Sequence, residues 1–256
     1  MLHGFLPSLI EGAGITLSLA VCSLFIAVVL GMAGALMKLS RSQVLKHVAT
    51  VYTTVIRGVP DLVLMLLIFY GGQLAVNELM PRFGIEDVVD INPFIAGVAT
   101  IGFIFGAYLS ETFRGAIMAI PPGQREAGIA YGMTPWQVFI RIVFPQMVRF
   151  ALPGFTNNWL VLVKSTALVS VIGLSDMMSR AGLAAGTTRE PFTFYLTVAA
   201  LYLVITTVSV LLLNALQRRY SLGVKTASIC CFPDDAGDAR DRRTVARNPS
   251  SPKAAS

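Results

Sequence analysis

The chain has 256 residues, 55% of them hydrophobic and only 13% charged, with a mean hydropathy of +0.69. A soluble domain carries about twice that charged fraction, and several runs exceed the ~20 apolar residues needed to cross a bilayer, so the expected class is an all-α, polytopic membrane protein. The net charge of +6 does not signal nucleic acid, because no basic stripe with interleaved aromatics accompanies it.

The start of the chain lacks the basic segment of a cleaved signal peptide, and the apolar run behind it is too long for one. A first span is expected over 13–37, then a basic loop, KLSRSQVLKH. The next segment, 48–79, is interrupted by RGVPD and is too long for one crossing. Residues 48–56 are therefore placed near the membrane surface, with the crossing after them, kinked at Pro60. An acidic loop, PRFGIEDVVDIN, leads to a third span over 93–113; an amphipathic region runs to 149; spans four and five follow at 152–174 and 192–216. Neither the three cysteines nor the two histidines, His3 and His47, have metal-site or disulfide-framework spacing.

Five spans put the chain ends on opposite sides. With the N-terminus outside, the inner segments 38–47, 114–149 and 218–225 hold ten lysines and arginines, and the outer segments hold three. The bias predicts a periplasmic N-terminus, a cytoplasmic C-terminus and a cytoplasmic amphipathic region. Residues 1–225 form the expected transmembrane domain. The polar tail, 226–256, holds nine of the 34 charges and is expected to be disordered.

The amphipathic region, EAGIAYGMTPWQVFIRIVFP, reads as two short helices. Gly132 is placed to end the first, since glycine adopts the left-handed conformation after a helix C-cap. Thr134 as N-cap, Pro135 at N1 and Gln137 at N3 make a capping box for the second. Trp136, Phe139, Ile140, Val143 and Phe144 then fall on one stripe. Amphipathicity alone leaves two readings: a helix lying on the bilayer or an element docking into a cytosolic partner.

Spacing decides between them. Glu126, Ala127, Gly128, Gly132, Ile142 and Pro145, with Trp136 between, resemble the EAA motif of bacterial ABC importer permeases: Glu-Ala-Ala, three residues, Gly, nine residues, Ile, one residue, Leu, Pro. Gly128 stands where the motif has Ala, and Phe144 where it has Leu. With RGVPDLVLMLLIFYG, YLSETFRGAI, NNWLVLVKSTALVSVIGLSD and QRRYSLGVK, the chain resembles the polar amino acid branch of that family over about residues 4–225. Within the branch it is most similar to permeases for histidine and for lysine, arginine and ornithine, then to opine permeases.

The resemblance implies a type I importer permease fold in a bacterial inner membrane. It implies a second permease subunit, like or unlike this one, two copies of a cytosolic ATPase, and a periplasmic amino-acid-binding protein. The EAA stretch would be the coupling helix that transmits ATPase closure to the spans. The chain has no GxxxxGK[ST] phosphate cradle, so it is expected to bind no cofactor itself, with ATP and Mg on the partner ATPase.

Ionisable groups inside spans are the candidates for the substrate path. Glu111 can pair with Arg114 at i,i+3 or offer negative charge to a cationic substrate. Asn157, Lys164 and Ser165, with Asn158 adjacent, make a polar stripe on span four. Lys164 would then pair with a carboxylate, Glu111 among them, or meet a substrate carboxylate. Arg57 and Asp61 can simply pair; Tyr108, Thr166 and Ser170 can add hydrogen bonds. The alternatives to an ATP-driven importer are a secondary carrier or channel, a membrane-embedded enzyme and a scaffold. The first wants an internal repeat and the second a catalytic constellation; neither is visible.

Overall fold

The computed structural model describes residues 4–83 and 90–220. His3, half of the acidic loop, residues 221–225 of the expected transmembrane domain and the tail fall outside the described residues.

Among those residues every regular element is helical. α1 spans Leu6–Leu39, α2 Gln43–Gly58, α3 Asp61–Leu79 and α4 Pro93–Met118. The short α5 (Pro122–Ala130) and α6 (Pro135–Val138) follow. A π turn, Phe139–Val143, joins α6 to α7 (Phe144–Ser165), which tightens into a 3-10 segment, Thr166–Ile172. α8 (Met177–Thr188) and α9 (Pro191–Tyr220) complete the chain. Five rods are long and apolar enough to cross a membrane: Leu6–Leu39, Asp61–Leu79, Pro93–Met118, Pro135–Ile172 and Pro191–Arg218.

The bundle is built on α1 against α4. In lipid, helices gain little from hiding apolar surface, so close backbone approach through small residues drives their association. A Cβ on Gly31 would lie 2.7 Å from Leu109 Cβ, and one on Gly102 would lie 2.7 Å from Ile26 Cβ. Ala20, Ala27, Ala35 and Ala107 are fully buried beside them. α4 is the central rod, with 61% of its most apolar stretch covered, against 11% for α3 and 6% for α9. The outer rods therefore leave most of their surface to lipid or to other subunits.

Span count and order agree with the sequence reading; four details do not. α1 begins seven residues before the expected start. Residues 48–56 do not lie across the end of the bundle. They belong to α2, whose Tyr52 hydroxyl donates to the Phe103 carbonyl at 2.6 Å, well inside α4. Nor does the chain kink at Pro60: it breaks, because the residue before a proline is driven out of helical backbone. Val59 is extended (φ −107°, ψ 140°), and Pro60 caps a new helix. The fourth rod starts well before residue 152, since Pro145 sits in the first turn of α7, where its missing N–H costs nothing. We call the end of the bundle bearing α5 and α6 the proximal end, and the opposite end distal.

Candidate functional site: the α5–α6 pair and the polar spans

α5 ends as the sequence demands. Gly132 has φ +80°. Its N–H donates to Ile129 O at 2.9 Å, and Met133 N–H donates to Gly128 O at 3.1 Å. These two bonds make a complete Schellman closure. α6 opens with the reciprocal cap: Gln137 N–H donates to Thr134 Oγ1 at 3.4 Å, and Thr134 N–H donates to Gln137 Oε1 at 2.9 Å. Only two residues, Met133 and Thr134, separate Gly132 from Pro135. The turn is thus fixed by backbone chemistry and not by distant contacts.

The two helices close on one another at Gly128. A Cβ there would lie 2.7 Å from Ile142 Cδ1 and 3.0 Å from Val138 Cγ2. The motif positions Gly128 and Ile142 are therefore contact partners, and the spacing between them is the length of chain needed to turn back. Gln146 ties α7 to α5 through Gln124 and also donates to Ile142 O at 2.9 Å.

The single apolar stripe expected over 136–144 is corrected by the structure. Phe144 N–H bonds to Phe139 O, five residues back, and the wider π turn splits the stripe. A proline cannot donate to the ladder, and its ring crowds the carbonyl four residues before it; Pro145 places that crowding at Arg141, inside the π turn. Val138 and Val143 are buried, while Trp136 (67% exposed), Ile140 and Phe144 face outward. Tyr131 and Ile129 are also exposed. Glu126 and Ala127 are exposed, and Glu126 forms no ion pair among the described residues. The pair is thus a closed unit that presents aromatic and aliphatic groups beside a free carboxylate.

Behind it, Glu111 is engaged twice. Its Oε1 pairs with Lys38 Nζ, which also reaches Thr53, and its Oε2 pairs with Arg114 Nε at 2.9 Å. The expected i,i+3 pair is present. Lys38 was missed, although a lone lysine in the last turn of the first span signals a need for a carboxylate. Glu111 borders an open hollow of about 450 Å³ with Lys38, Thr50, Thr53 and Arg57. Lys164 does not pair with Glu111. Asn158 is the α7 residue level with α4 at this point, donating to Thr112 Oγ1 at 2.8 Å. Lys164 lies six residues, about 9 Å, further along α7, beyond reach. Asn157, Val161 and Lys164 are all exposed on one face, and Ser165 is half-buried.

Arg57 and Asp61 do not pair either, because the break at Val59 separates their helices. Both turn to Tyr108: the Arg57 guanidinium lies 5.5 Å from the ring centroid, and the Asp61 carboxylate lies within electrostatic reach of the phenol. Ser170 bonds only within its own segment, to Ala167 O. No group of acidic, histidine or cysteine side chains among the described residues could hold a metal ion.

Residues 12–222 match the family described as "Binding-protein-dependent transport system inner membrane component". The chain belongs to this family. It is 52% identical to the histidine/lysine/arginine/ornithine transport system permease protein HisQ of Escherichia coli, over 90% of this chain and all of that one. It is 42% identical to the nopaline transport permease NocQ of Agrobacterium fabrum, over 80% of this chain and 88% of the other. Among solved structures, a chain from an amino acid ABC transporter crystallised with histidines superposes with a TM-score of 0.71 at 36% identity, covering 84% of this chain and 95% of that one. A chain of the methionine transporter MetNI shares the fold at TM-score 0.67 and 19% identity, over 83% of this chain and 96% of its own length. The permease is therefore a multi-pass inner-membrane subunit of an ABC importer, with the type I importer fold. It assembles with permease and ATPase subunits and is not itself the enzyme. Nothing in these matches supports the carrier or channel alternative.

Proposed function

We propose that the permease carries polar, cationic amino acids of the histidine, lysine, arginine and ornithine type. What supports the substrate class is the 52% identity to HisQ over all of that relative's length. In this reading a periplasmic binding protein delivers the amino acid at the distal end. A second permease, identical or related, completes the path, and two ATPase copies hold ATP and Mg below the proximal end. The N-terminus is then periplasmic and the end of α9 cytoplasmic, as the arginine and lysine bias favours.

The α5–α6 pair is the coupling element. The observation that carries this is its closed geometry: Gly128 seats on Ile142, so the unit moves as one piece, while Glu126, Ala127 and Trp136 remain open to a groove in the ATPase. Gly132 and Pro145 set its two bends. The substrate path runs along the exposed α7 face of Asn157, Lys164 and Ser165. Polar groups on an open face of a spanning helix belong against water or another subunit, not lipid. Lys164 meets the substrate α-carboxylate. Asn158 braces that face on α4, and Glu111 acts through its paired hollow nearer the proximal end.

Uptake by the reconstituted transporter, with a panel of labelled amino acids, tests the substrate class. Arginine, lysine, ornithine or histidine should be taken up in preference to neutral amino acids; equal uptake of glutamine or leucine overturns it. Replacing Glu126 tests the coupling role separately. ATPase co-purification and transport should both fall, and retention of both would count against the assignment.

A further inference from the structure

α7 carries a proline in its interior, and a side chain from another helix spans the gap that it leaves. Pro153 has no N–H, so one rung of the α7 ladder is missing. Gln217, near the proximal end of α9, reaches across that place. Its amide nitrogen donates to Thr156 Oγ1 at 2.9 Å and to Leu152 O at 3.4 Å. Leu152 O belongs to the peptide bond that Pro153 closes, and Thr156 lies one turn beyond. Thr156 Oγ1 gives its own hydrogen to Leu152 O at 2.9 Å, so toward Gln217 it can only accept. The three groups close a small ring across the proline.

The two sides of Pro153 are held differently. Beyond it, α7 is seated on α4: a Cβ on Gly154 would lie 2.8 Å from Thr112 Cγ2, and Asn158 donates to Thr112 Oγ1 at 2.8 Å. Before it, α7 borders an open apolar hollow of about 310 Å³, to which Phe144, Met147 and Val148 contribute from α7, Val28 and Met32 from α1, and Leu216 from α9. The proximal half of α7 therefore has room to swing about Pro153.

That half is the part joined to the α5–α6 pair, through the π turn and through Gln146 to Gln124. The distal half carries exposed Asn157 and Lys164. A push on the pair has to pass Pro153 to reach them. Helices bend at prolines, so an unbraced α7 would absorb the push at the missing rung.

We propose that Gln217 is a positioning residue for transport: its amide locks the two halves of α7 together across Pro153, so that movement of the α5–α6 pair reaches the face of Asn157 and Lys164. The proposal rests on the coupling role given to the pair above. Gln217 acts through Leu152 and Thr156, not on the substrate. Because it stands on α9, the same contact makes the proximal end of α9 follow α7.

The test uses the assembled transporter in vesicles, with its binding protein, and reads labelled arginine taken up per ATP hydrolysed. Gln217→Leu removes the donor and keeps an apolar side chain. It should assemble and hydrolyse ATP within about twofold of wild type, while uptake per ATP falls about three- to fivefold, the size of one interhelical hydrogen bond in a membrane. Thr156→Val removes the acceptor and should lower the ratio too, and the double variant should be no worse than Gln217→Leu, because the two changes break one contact. Pro153→Ala restores the rung, so Gln217→Leu added to Pro153→Ala should cause no further loss. An unchanged ratio in Gln217→Leu, losses that multiply in either pair, or loss of assembly in both Gln217→Leu and Thr156→Val overturns the proposal. If Gln217→Leu alone fails to assemble, Thr156→Val decides: a lowered ratio upholds the proposal and an unchanged one overturns it. Failure of the earlier readings would show elsewhere. If the wild type takes up glutamine and not arginine, the substrate class falls and the same ratios are read with glutamine. If Glu126 can be replaced without loss, the coupling role of the pair falls, whereas the comparison of Gln217→Leu with and without Pro153→Ala does not involve Glu126.

Discussion

The α5–α6 pair and the Lys38–Glu111 cluster lie at the same end of the bundle but are made by different means. The pair is local: one glycine, one capping box and one close approach, all within residues 126–146. The cluster is assembled from α1, α2 and α4, with its two central members 73 positions apart in the sequence. A local device survives as long as its turn chemistry survives. A non-local cluster depends on the helix packing that brings its members together. The two should therefore fail differently.

The largest effect should come from the packing that both depend on. Gly31→Val puts a branched side chain where even a Cβ would lie 2.7 Å from Leu109 Cβ and 3.2 Å from its backbone carbon. Backbone cannot yield as a side-chain tip can. Overpacking usually costs about 1–3 kcal/mol, and at a backbone contact we expect at least the top of that range. Membrane extracts should contain little monodisperse permease. A well-folded Gly31→Val protein would show that the α1–α4 approach is looser than described.

The cluster comes next. Lys38→Met removes the less exposed partner of Glu111 and leaves the carboxylate with Arg114 alone. Because Glu111 is partly open to solvent, we expect a loss of about 2 kcal/mol, below the ~3–5 kcal/mol of a fully buried pair broken on one side. Glu111→Gln added to Lys38→Met should restore part of it, since the unpaired charge is then gone. Melting temperatures of the three variants measure the coupling; simple additivity would mean that the pair contributes nothing.

This contrast also marks what the sequence could disclose. Gly132, Thr134, Pro135 and Gln137 act on their own neighbours, so the turn, the cap and the five rods were readable before any tertiary contact was known. The partners of Glu111, Arg57 and Asp61 were only half readable. The i,i+3 pair with Arg114 is a property of one helix. The Lys38 contact depends on how α1 packs on α4, and the shared Tyr108 on how α2 and α3 meet α4; no periodicity encodes either. The apolar stripe over 136–144 failed for a third reason: a single π turn shifts the face, and regular 3.6-residue spacing assumes that no such turn exists.

Gly132→Ala should matter less to the fold than either change above and more to coupling. Its φ of +80° requires left-handed backbone, which costs a residue with a Cβ about 1–2 kcal/mol. The site is open, with nothing within 4 Å of an added Cβ, so strain is the whole effect. The spans should remain folded, and Tm should fall by a few degrees at most. ATPase co-purification should drop more than Tm does, because the turn sets the angle between α5 and α6. Equal proportional loss in both would tie the turn to global stability and not to docking.

The smallest effect is expected at Gly128→Ala, and its smallness is informative. The added methyl meets Ile142 Cδ1 and Val138 Cγ2, both ends of side chains that can rotate. Alanine in place of a helical glycine gains about 1 kcal/mol of intrinsic preference, which offsets a modest rearrangement. The net change should lie within about 0.5 kcal/mol, the range of ordinary neutral substitutions, with transport preserved. Gly128→Val removes that escape, because its branches meet both neighbours at once; it should lower transport while Gly128→Ala does not. Pairing Gly128→Val with Ile142→Ala should recover transport if the contact between these two positions is what fixes the unit. Failure of that rescue, with Gly128→Ala still silent, would mean that position 128 acts through the ATPase surface and not through the closure of α5 on α6.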